Sequence, residues 1–165
     1  MKSRIQRSMV LIISITLVLF YAILAVILYN RNMNILESEV QQEAKYIQKA
    51  IDIAGTRYLE EMASVDWSAR VTCITPDGEV LYDSRRNGED LENHSQRAEV
   101  REALASGEGE DVRMSDTVGR EMYYYALLLD DGSVLRVARE MDGLVRTALN
   151  VLPVMGGLAV LMVVF

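Results

Sequence analysis

Three kinds of hydrophobic spacing succeed one another along the chain, and each predicts a different element. From Met9 to Tyr29 the run MVLIISITLVLFYAILAVILY carries no charge. At about 1.5 Å per residue a helix of that length reaches roughly 31 Å, the thickness of a bilayer's hydrocarbon core, and we read it as a transmembrane helix. The stretch is too long for the apolar part of a cleaved signal peptide, although Lys2, Arg4 and Arg7 before it resemble the basic start of one. Next, Leu36, Val40, Ala44, Ile47, Ile51, Ala54, Tyr58 and Met62 recur at steps of three and four among Glu, Gln and Lys. That is the stripe of an amphipathic helix, and without a proline before Met62 it predicts one helix running outward from the membrane.

From Arg70 the spacing changes to two. RVTCIT and VLYD flank Pro76-Asp77-Gly78, a turn in which proline fixes φ and glycine accepts positive φ, so the two runs predict a hairpin. Residues 84–96 are polar and rich in turn formers. Arg97 to Ala105 reads as a short helix with Val100 and Leu104 on one face, closed by Gly107. Glu110 to Asp116, Glu121 to Leu129 and Ser133 to Arg139 predict three more strands, the last two joined at Asp131-Gly132. Residues 141–150 should form an exit helix. They lead into VLPVMGGLAVLMVVF, charge-free from Val151 to Phe165, which is expected to be the start of a second transmembrane helix.

The predicted layout is therefore a cytoplasmic start (1–8), a first span (9–29), a helical stalk (30–66), a sheet domain (67–140), an exit helix (141–150) and a second span (151–165). The fold class is α+β, a five-stranded antiparallel sheet with one face covered by the long N-terminal helix. Charge fixes the expected orientation. Three basic residues precede Met9, and the first acidic residue is Glu37 in a chain of net charge −7. By the positive-inside rule the N-terminus is cytoplasmic and the sheet lies outside. So acidic a domain gives no reason to expect nucleic acid as partner. The lone Cys73 cannot make an intrachain disulfide, so packing must hold the domain together. The stalk stripe is long enough for a second role as a homodimer contact.

RVTCITPDGEVLYDSRRNGEDLENHSQRAEVREALASGEG, followed by YYYALLLDDGSVLRVARE, resembles the extracytoplasmic sensor of bacterial phosphate-regulon-type sensor histidine kinases, which has a PAS-like, Cache-related fold. The resemblance spans roughly Arg70 to Glu140, and the flanking greasy segments match the family layout. It implies a multi-pass protein of the bacterial plasma membrane, feeding a two-component phosphorelay. The relay, the phospho-accepting histidine helix and an ATP- and Mg-dependent kinase domain would follow the second span, with a cytoplasmic response regulator as downstream partner. None of those parts is in these 165 residues, and no catalytic constellation is visible in them. The same module driving a chemoreceptor or a cyclic-nucleotide output, or a membrane-tethered binding protein without catalytic output, is the competing reading.

The resemblance also implies a site. Cache-like sensors commonly bind small molecules between the sheet and the loop and helix that cover it. Here Tyr82, Tyr123, Tyr125 and Arg136 are the candidates for an extracytoplasmic ligand, with the alternative that the tyrosines are core and rim. The period of two sets Tyr124 on the face opposite Tyr123 and Tyr125. His94 stands near Asp83, Glu89, Asp90 and Glu92, a set that could hold a divalent cation. The spacing follows no tight ligand motif, so the preferred role of Asn93-His94 is to pin the loop ahead of the short helix.

Overall fold

The computed structural model describes residues 2–61, 69–85, 92–115, 119–141 and 157. The chain divides into two units, Met1–Asn34 with Asp142–Phe165, and Ile35–Met141. Apart from Gly157, the described residues of the first unit are the beginning of helix α1 (Lys2–Ala54), which is long and apolar enough to cross a membrane. Its leucines, isoleucines and valines between Met9 and Leu28 are largely exposed, as a lipid-facing surface requires. The expected exit helix beyond Met141, the expected second span apart from Gly157, the stalk beyond Glu61, and Glu89 and Asp90 lie outside the described residues.

The second unit begins with the rest of α1. Val40, Ala44, Ile47 and Ile51 are buried, as their spacing predicts. The stripe does not continue to Met62 on one helix. α1 ends at Ala54, where Gly55 takes φ 74° and its N–H bonds back to the Ile51 carbonyl at 2.7 Å, a left-handed helix stop that glycine accepts without strain. A separate turn of helix, α2 (Arg57–Glu61), then buries Leu59 rather than Tyr58.

Five strands follow: β1 (Arg70–Ile74), β2 (Val80–Asp83), β3 (Glu108–Met114), β4 (Glu121–Leu128) and β5 (Val134–Glu140), with α3 (Ala98–Ser106) between β2 and β3. They form one antiparallel sheet in the order β2-β1-β5-β4-β3, so the expected fold class holds. The central β1–β5 pair is what the hairpins alone did not predict. It joins the β1–β2 hairpin to the β3–β4–β5 meander, and both of its strands are buried through most of their length.

Strand registers place each side chain on one of two faces. One row across the sheet reads Asp83, Thr72, Arg136, Ala126, Gly109, and the next reads Arg70, Ala138, Tyr124, Asp111. Helix α3 lies over this face, where Val100 and Ala103 pack with Ile74, Ala126 and Val134. Gly109 is the place of closest approach. A Cβ there would stand 2.3 Å from the Glu99 carbonyl oxygen, so any side chain would lift the helix. The opposite face carries rows Tyr82, Cys73, Leu135, Leu127, Glu108 and Val71, Val137, Tyr125, Glu110. There α1 is tied down by Gln41 to the Tyr123 hydroxyl (3.3 Å), by Gln48 to the Leu128 carbonyl (3.4 Å), and by Arg139 to Glu39 and Glu43 (2.7 and 2.8 Å).

Candidate functional site

The α3 face holds a cluster of buried charges. Arg136 projects from the middle of the apolar strand VLRVA and is 3% exposed, so its charge needs a partner that the strand cannot supply. Helix α3 supplies it from its first turn. Glu99 is fully buried and lies 3.4 Å from Arg136 Nη1 through Oε1. Its shorter bonds go to Arg113 on β3, which forks onto both carboxylate oxygens at 2.6 and 2.9 Å and donates a further 2.6 Å bond to Asp111. The Arg113 guanidinium also covers the Tyr124 ring at 3.8 Å, with Arg136 at 5.4 Å.

A second pair adjoins the first. Arg70 and Asp83 are both buried and bonded at 2.8 to 3.2 Å, and Asp83 also accepts from the Thr72 hydroxyl at 3.2 Å. Thr72 in turn accepts from Arg136 at 3.3 Å, linking both pairs into one network. His94 completes the wall. Its backbone N–H bonds to the Gly78 carbonyl at 2.8 Å, its carbonyl accepts from Arg97, and the neighbouring Asn93 side chain bonds to the Asp77 carbonyl. Gly78 is required here, since a Cβ would meet Ser95 N and Asn93 Oδ1 at 2.3 and 2.4 Å. The loop is thus pinned to the hairpin turn, as expected of Asn93-His94.

Burial sets the electrostatics of this network. Burial also works against ionising Glu99, but the bonds and charge of Arg113 outweigh it and hold the carboxyl below its ordinary value. Arg113 is raised for the reciprocal reason, its bonds to Glu99 overcoming its own burial. Arg136 is lowered to about 10 by burial, which Glu99 offsets in part. His94 is pushed down to about 4, first by burial and then by Arg136, Arg97 and Arg70, so its imidazole is neutral at physiological pH. Two buried polar atoms in this region have no hydrogen-bond partner, His94 Nδ1 and Arg136 Nε. Three guanidinium groups around His94 make a poor setting for a divalent cation. No group of three or more His, Cys, Asp or Glu that could hold a metal occurs among the described residues, Asp83 and Glu92 included.

The four candidate ligand residues do not come together. Tyr82, Tyr123 and Tyr125 lie on the α1 face, whereas Arg136 points to the α3 face with Tyr124. Tyr123 donates to Glu110 at 2.7 Å and Tyr125 to Glu108; burial and these carboxylates raise both phenols. Tyr82 is half-buried with an unpartnered hydroxyl, raised by burial and by Asp83. Cys73 is buried on the same face against Ser133 Oγ at 3.8 Å, its thiol pushed up by burial. Sequence reasoning missed Glu99 and Arg113. Two arginines at inward strand positions were the available signal, because each must find a buried carboxylate.

Chemically the cluster has neither a nucleophile beside a base nor a metal cradle among the described residues. It can clamp α3 and the 92–97 loop to the sheet through paired charge. The family model described as Single Cache-like matches residues 29–135, well over half of the chain. No curated protein matches.

Proposed function

The chain belongs to the single Cache-like family, and on that premise we propose that it is the sensory input region of a bacterial two-component sensor histidine kinase, anchored by two membrane spans with its sheet outside the cell. Cache domains are usually extracytoplasmic sensors, which supports the outer placement. The observation that carries the transmission step is α1. The helix containing the charge-free Met9–Tyr29 run also presents Val40, Ala44, Ile47 and Ile51 to the sheet domain and accepts the two Arg139 ion pairs. On this reading a rearrangement of the sheet that favours one seating of Arg139 over another is passed to α1, the helix that carries the Met9–Tyr29 run. Such a device responds to a signal only insofar as the signal binds one arrangement better than the other.

Two measurements test the reading. In a Cys73→Ala background, Glu92→Cys should react with a membrane-impermeant maleimide on intact cells; labelling that needs permeabilised cells would overturn the orientation. The product of the whole reading frame, in native membranes with ATP, should then acquire acid-labile phosphate on a histidine. A product that takes up no phosphate would end the kinase assignment and leave the Cache-like sensor with another output.

A further inference from the structure

The β3 margin of the sheet is protected along half its length and open along the rest. Gly107 and Ser115 bond across the β3–β4 hairpin, at 2.8 Å to Leu128 and to Arg120. By antiparallel alternation Glu108, Glu110, Val112 and Met114 therefore turn their backbone groups outward. The first two are capped by the chain itself, the Glu108 carbonyl by the Ser106 hydroxyl at 2.9 Å and the Glu110 N–H by Glu102 at 3.4 Å. No such cap reaches Val112 or Met114 among the described residues, and their side chains are 42% and 61% exposed. Sheet margins are ordinarily blunted by bulges or very short strands. The opposite margin has both, since β2 is four residues long and its pairing shifts between Cys73 and Ile74. β3 pairs in seven consecutive registers without irregularity.

The side chains beside this open edge specify what would fit it. Glu108, Glu110, Val112 and Met114 share one face of β3, with Glu121 opposite Met114. Glu108 and Glu110 accept from tyrosine hydroxyls and have no cation within ion-pair range among the described residues. A second copy suits this edge badly. Parallel pairing of two β3 strands would oppose like carboxylates. Antiparallel pairing centred on Val112 would set Glu110 against Met114, a carboxylate against an apolar side chain.

We propose that the Glu110–Met114 edge of β3 receives an extended segment of a partner protein as a sixth strand, with apolar side chains beside Val112 and Met114 and lysine or arginine beside Glu110 and Glu108. Main-chain bonds to Val112 and Met114 supply register, and the alternating side chains supply selectivity. The inference does not depend on what output the sensor drives.

Hydrogen exchange on the full chain in nanodiscs, read by mass spectrometry over residues 108–114, tests it. The probe is the blocked peptide Val-Thr-Val-Thr-Lys-Thr-Lys. It should slow exchange at Val112 and Met114 at least tenfold, and its counterpart with glutamate for lysine should not. Val112→Pro removes an outward N–H without touching the β4 ladder; it should keep the unfolding midpoint and lose the protection. Glu110→Lys should weaken the peptide's affinity at least fivefold. The proposal fails if the peptide leaves wild-type exchange unchanged, if the Met114 amide of Val112→Pro is protected as in wild type, or if Val112→Cys crosslinks into disulfide dimers without peptide, which would assign the edge to a second copy.

Discussion

On the α1 side of the sheet, polar groups are kept at the rim: Tyr123 and Tyr125 bury their rings and carry their hydroxyls outward to Glu110 and Glu108, while the centre is Val71, Cys73, Leu135 and Val137. On the α3 side the charges are in the centre, where Glu99, Arg136, Arg70 and Asp83 are all buried. The apolar contact at the centre of the first arrangement is non-directional, and α1 takes its position from the rim, where Gln41 meets Tyr123 and Arg139 meets Glu39 and Glu43. In the second the position is set at the centre, since a bidentate guanidinium–carboxylate fork holds in one geometry. The sheet thus fixes α3 from within and α1 from its margin.

Removing one charge breaks that contrast most severely. Glu99→Gln leaves Arg113 and Arg136 without their buried counter-charge and should cost about 3–5 kcal/mol, read as a fall in the unfolding midpoint of the outer domain. Adding Arg136→Met to Glu99→Gln should recover part of the loss, because the orphaned charge is then gone. On the other face Ile47→Ala should cost about 2–4 kcal/mol through the cavity it opens between α1 and the sheet, with no such rescue available.

Acid sharpens the comparison, since it acts on the α3 side through His94. The imidazole's folded value of about 4 lies below its ordinary value of about 6.5, so the unfolded state binds the proton first. Stability from this group is complete above about pH 6.5 and declines as pH falls towards 4, by on the order of 3 kcal/mol. Denaturant midpoints measured across that window should show the slope in wild type and a flatter profile in His94→Gln. The smallest effect belongs to the rim: Tyr125→Phe should cost roughly 1 kcal/mol or less, because Glu108 is exposed and water replaces the lost donor.

How legible these two faces were depended on which property governed each. Period-two spacing set Tyr124 opposite Tyr123 and Tyr125, and the registers bear that out. Placing Arg136 with those tyrosines failed because facing across β4 and β5 is fixed by register, and Arg136 pairs with Ala126 rather than with a tyrosine. Glu99 was invisible for a different reason. In AEVREALAS a glutamate in the first turn reads as an ordinary solvated helix start, and its burial follows from Gly109 and Ala126 making room beneath α3. The helix stop at Gly55 was written in the sequence, yet the apolar stripe continued through it in spacing and masked it.

The staple between Gly78 and His94 separates two questions that loops ordinarily merge. Ser84 is bonded to Val71 at one end and His94 to Gly78 at the other, so the connection between them closes between points that are already fixed. Gly78 serves the second of these points through its carbonyl and leaves no room for a Cβ beside Ser95 and Asn93. Gly78→Ala should thus free the His94 end from the hairpin turn while Ser84 stays seated on β1.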